Sequence, residues 1–226
     1  MMNKVTENIF TYDYTFKIMP GVDFPVKSTF IELENHGLMI ISPGPFDKKT
    51  IQDTLVKYKT VYCVAPNAFH HKHLGEFYNL FPNINIYGPT SLIKKQAWLS
   101  DVLMDLGSLK ERLEGQVLFF PILGSKLLDE TVFYCRRSKS LVVTDLVFNM
   151  RDPMPFGRKC LLSLVGARNK IAQSKMIRAS LKDKKAYAQA VKPLRELNCE
   201  RIIVAHGQTI EGASEINRAM AEIRAV

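Results

Sequence analysis

Short apolar runs that stop at a polar residue recur along this chain. Residues 38–41 run into Ser42-Pro43-Gly44-Pro45, 61–65 into Pro66-Asn67, 141–144 into Asp145, and 201–205 into His206-Gly207. Apolar, β-branched runs of this length, bounded by Gly, Pro or Asn, are strand signals. Between them lie stretches with the helical period; in 47–58, Asp47 can cap a helix that puts Ile51, Leu55 and Tyr58 on one face. Buried strands alternating with helices specify an α/β protein. In such proteins ligands gather beyond the carboxyl ends of the strands.

The remaining elements follow the same signals. Residues 8–14, 28–33, 84–87 and 117–121 read as strands, and 130–136 pairs with 141–144 as a hairpin turning at Arg137-Ser138-Lys139. Helices are expected over 74–80, 91–106, 183–197 and 210–225. The stretch 156–180 has helical pieces without clear periodicity.

A chain of 226 residues with 46% apolar residues and no break in composition reads as one domain, 1–226. It has no apolar run of about 18 residues, so no membrane span is expected. The start, Met1-Met2-Asn3-Lys4, lacks the features of a signal peptide. The four separated cysteines (Cys63, Cys135, Cys160, Cys199) suit reduced thiols, and the expected compartment is the cytoplasm. The net charge is +9, with many Lys and Arg between 151 and 201. They lie among Ser, Ala and Gln without interleaved aromatics, which suits a solvated helical face and not a nucleic-acid platform.

Histidine usage is concentrated. Of five histidines, three lie in Asn67-Ala68-Phe69-His70-His71-Lys72-His73-Leu74-Gly75, and His206 follows another strand. His36 adjoins Gly37 in an expected exposed turn. Neutral imidazole is the commonest metal ligand and a ready proton carrier. His70, His73, Asp145 and His206 each follow a strand end, so they are expected to meet in one cleft, their polar atoms within roughly 6 Å of a common point.

The strand with its Pro-Gly turn, the histidine loop and the order of elements resemble the metallo-β-lactamase fold over essentially the whole chain. The resemblance implies a four-layer αββα sandwich. The family motif is His-x-His-x-Asp-His with a Gly two residues on; Gly75 matches that Gly, His73 the last His and His70 the second. Asp145 matches the Asp that bridges two metals, and His206 the final His. Ala68 stands where the first His belongs, Lys72 replaces the Asp, Ser42 replaces an Asp of the strand turn, and 121–126 lacks the middle His. A two-metal cluster is therefore not expected.

The residues left, His70, His73, Asp145 and His206, with His71 as a spare, suffice for one zinc or iron ion, with water completing its shell. Asp145 or an unligated His would accept a proton; Lys72 would supply the charge of the missing ion or relay a proton. Plainer roles also stand: Lys72 facing solvent, Asp145 capping a turn. Two functions follow. One is a single-metal hydrolase acting on an unknown small molecule. The other is a non-catalytic binding or scaffold protein without the metal.

Overall fold

A computed structural model of the chain describes residues 2–20, 22–125, 127–151 and 153–224. In chain order the first sheet takes β1 (Met2–Lys4), β2 (Ile9–Met19), β3 (Val22–Leu33), β4 (Gly37–Ile41), β5 (Thr60–Val64), β6 (Asn85–Tyr87) and β7 (Leu103–Met104), hydrogen-bonded in that order. Its first pairs are antiparallel; from β4 onward they are parallel. The second sheet is built from β8 (Val117–Pro121), β9 (Thr131–Cys135) and β10 (Ser140–Val143). After a small pair, β11 (Phe148–Asn149) with β12 (Ile171–Ala172), it is completed by β13 (Arg201–Val204) and β14 (Ile210–Glu211), in the order β14-β13-β10-β9-β8.

Side-chain alternation along the strands builds the layers. Met39 and Ile41 of β4 face a core shared with Phe133, Val142 and Ile203 of the second sheet. Their neighbours Leu38 and Ile40 face outward and pack with Ile51 and Leu55 of α1 (Lys48–Leu55) and Leu74 and Phe77 of α2 (Leu74–Leu80). On the far side, Leu141 and Val143 of β10 and Ile202 and Val204 of β13 are covered by further helices. In chain order the remaining helices are α3 (Leu106–Leu113), α4 (Phe156–Leu164), α5 (Lys175–Ser180), α6 (Lys184–Val191) and α7 (Ala213–Arg224). Tyr187 and Val191 of α6 and Ile216, Ala219 and Ile223 of α7 supply that outer cover. Helix, sheet, sheet, helix is the expected four-layer α/β sandwich. No helix among the described residues is long and apolar enough to cross a membrane.

Three expected helices differ, each for a local reason. The helix expected over 91–106 is two 3-10 turns, Thr90–Lys94 and Ala97–Asp101, followed by β7. Gln96 breaks it at φ −140° and ψ 84°. Asp105 then starts α3 by accepting the backbone N–H groups of Gly107 and Ser108, an N-cap. The helix expected over 183–197 turns 3-10 at Lys192–Glu196, where Pro193 removes an α-helical donor. The closing helix begins only at Ala213, because Ile210–Glu211 pairs with β13 and Gly212 turns at φ +83°. Its expected last residue, Ala225, lies outside the described residues, as does Lys126 of the 121–126 stretch.

Candidate metal centre

The site lies at the carboxyl ends of two parallel strand pairs. In β10–β13, Val143 lies beside Val204. Two residues further on, Asp145 and His206 must therefore be neighbours, and Asp145 Oδ1 is 3.3 Å from His206 Nε2. In β4–β5, Ile41 lies beside Val64. Ser42, next after β4, takes φ +57° and reaches the histidine loop that follows β5; its Oγ is 2.6 Å from His70 Nδ1. His70 Nε2 in turn lies 3.4 Å from Asp145 Oδ2 and 3.2 Å from His206 Nε2.

These three residues form the group among the described residues that can hold one ion, with one donor atom from each all within 4.8 Å of one another. His206 is 5% exposed, and the His70 and Asp145 side chains 6% and 13%. His206 Nδ1 lies 2.9 Å from the Pro25 carbonyl, which only accepts; Nδ1 therefore carries the hydrogen and Nε2 presents a lone pair. Asp145 is held ionised. Burial alone would raise its pKa, but the His70 and His206 imidazoles outweigh burial and hold it well below the usual carboxylate range.

The donors suit a metal. A tetrahedral zinc with bonds of about 2.0–2.1 Å separates its donors by roughly 3.3 Å. The 3.2 Å between the two Nε2 atoms lies at that separation, and the carboxylate faces them with both oxygens, Oδ1 3.3 Å from His206 and Oδ2 3.4 Å from His70.

His73 and His71 line the same cavity but stand outside this group. His73 Nδ1 pairs with Glu76 at 2.9 Å, and its ring stands edge-on to Tyr14. His71 Nδ1 is buried and has no hydrogen-bond partner among the described residues. Its pKa is lowered, first by burial and then by the charges of Lys95 and His70, so it stays neutral. Lys72 is exposed at the cavity, its ammonium 4.0 Å from the centre of the Phe16 ring.

Two residues that hold the centre in place carry no metal-ligand signal in the sequence. Asn67 is fully buried; its Oδ1 accepts the N–H groups of Phe69 and His70, and its Nδ2 donates to Asp145 Oδ2 at 2.7 Å and to Thr144 Oγ1. It ties the histidine loop to the aspartate loop. Glu130, 1% exposed, accepts the N–H groups of Thr144 and Asp145. Burial, then the nearby Asp145 charge, push its pKa up to about 7. The available clues were a loop opening with Pro66-Asn67 and an acid directly before a largely apolar strand.

No family model and no curated protein matches the sequence. Solved structures do. VMB-1 superposes with a TM-score of 0.67 at 12% identity, covering 99% of this chain and 95% of that one. A metallo-beta-lactamase from Pontibacter korlensis gives 0.62 at 15% identity, covering 100% and 99%. The metallo-beta-lactamase FIM-1 from Pseudomonas aeruginosa, in its mono-zinc form, gives 0.62 at 12%, covering 99% and 94%. With its two facing sheets and strand-end centre, this chain has the metallo-β-lactamase fold.

Proposed function

We propose that the protein is a single-metal hydrolase whose zinc or iron ion is held by His70, Asp145 and His206. The observation that carries this reading is the convergence of two imidazoles and a carboxylate, one donor atom from each within 4.8 Å of the others. His73 is the candidate fourth protein donor and His71 the spare. When bound, the ion supplies Lewis acidity, polarising a carbonyl or phosphoryl oxygen and making water more acidic.

The chain's own residues do the rest. Asp145, fixed by Asn67, or the unligated His71, whose Nδ1 has no partner among the described residues, accepts the proton of the attacking water. As the bond to the leaving oxygen breaks, that proton passes to the leaving group. Ser42 and the Pro25 carbonyl fix the two imidazole rings. Lys72 places positive charge at the rim of the cavity.

The test is hydrolysis of a panel of carboxylic esters, thioesters and phosphodiesters by metal-loaded protein. The reading expects activity that chelation removes, zinc or iron restores, and Asp145→Ala abolishes. Bound metal with no turnover of any member would favour the alternative, a non-catalytic binding or scaffold protein.

A further inference from the structure

The centre opens into a cavity of about 610 Å³. One wall is the long β2–β3 hairpin, where Phe16 and Ile18 project from alternate positions of β2 and Phe24 from β3. Leu161 of α4 and Met176 of α5 form another, with Phe148 of β11 near the centre. These side chains offer no hydrogen-bond donors. A hydroxyl-rich ligand would leave its polar groups unpaired against them, whereas each methylene buried there gains roughly three- to fourfold in affinity. Ile18 and Met176 are 44% and 54% exposed, so the apolar lining continues out to the mouth.

The charge is as asymmetric as the polarity. The only carboxylate lining the cavity among the described residues is Asp145, already engaged by two imidazoles and Asn67. The one lining ammonium, Lys72, rests on the Phe16 ring and pairs with no carboxylate among the described residues. Nearby, Lys95 lies over the Phe69 ring and donates to the Ala68 carbonyl. Aromatic faces hold both cations in place without cancelling their charge.

We infer that the cavity takes a monoanionic amphiphile, an aliphatic acyl compound whose chain lies along the apolar walls and whose negative group meets Lys72. The inference rests on the hydrolase reading only for what happens at the centre; chain and anion recognition are independent of bound metal.

Titration calorimetry of the full chain with octanoate, decanoate and 1-octanol tests it. Decanoate binds about tenfold more tightly than octanoate, following the per-methylene factor. Octanol binds at least tenfold more weakly than octanoate. Lys72→Met brings octanoate down to the octanol level, while Lys72→Arg keeps most of the difference. Removing metal with a chelator leaves both discriminations in place; if wild type supplied with zinc or iron holds no metal yet still discriminates, the hydrolase reading fails and this one stands. Equal binding of octanol and octanoate, or no dependence on chain length, overturns the inference. So does loss of octanoate binding in His206→Ala but not in Lys72→Met, since the carboxylate would then sit at the centre.

Discussion

Glu130 and Asn67 hold the ligands without being counted among them. Glu130 offers two carboxylate oxygens to two consecutive backbone N–H groups, those of Thr144 and Asp145, in a place no water reaches. Removing such an acceptor leaves buried donors unpaired, which costs more than the hydrogen bonds are worth in net terms. Glu130→Ala should lower stability by about 3 kcal/mol, a melting-temperature drop of roughly 6–12 °C for a chain this long. Glu130→Gln, keeping one acceptor, should lose about half as much. Thermal unfolding followed by circular dichroism decides it, and an unchanged melting temperature for the alanine variant would refute the role. The metal-type side chains were legible in the sequence because their residue types announce metal chemistry. Asn67 and Glu130 were not, since an amide and an acid are ordinary loop and strand-end residues until their partners, 78 and 15 positions away at the furthest, are known. Ser42 was legible only as a departure from the family pattern; its bond to His70 needed coordinates.

Among the elements, the central strands were read well because burial on both faces leaves unbroken apolar runs, whereas the short β1, β7, β11, β12 and β14 were not expected. β5, β9, β10 and β13 fall within a residue or two of their expected bounds. Helices failed where one side chain or one glycine intervened: Gln96, Pro193 and Gly212. The β2–β3 hairpin is longer than expected, Ile9–Met19 with Val22–Leu33, because its outer half packs over the site and not in the main core. Gly207, beside His206, shows how tightly the strand-end turns are built. Its φ is +108°, and a Cβ there would lie 2.1 Å from the Asn149 carbonyl oxygen. Its own carbonyl accepts from Lys27. Gly207→Ala must push the β13 turn away from β11, and should cost about 3 kcal/mol or more while displacing His206. A variant crystal structure with His206 unmoved and a melting temperature within a degree of wild type would contradict this.

At the scale of the whole molecule, two sheets with opposite outer covers bring four strand ends to one edge. That convergence, and not any local motif, makes a ligand set from residues as distant as His70, Asp145 and His206, with Ser42 holding the first. The layered fold was legible because it follows from alternation along each strand and from the order of elements. Which imidazoles meet was not, because His70, His71 and His73 share one loop whose turns decide their directions. Binding of one ion at His70, Asp145 and His206 is tested most directly by metal stoichiometry in native mass spectrometry. Protein supplied with zinc or iron should carry one ion per chain, and His206→Ala should carry none while keeping the wild-type circular dichroism spectrum. Two ions per chain, none after metal is supplied, or one retained by His206→Ala would contradict it.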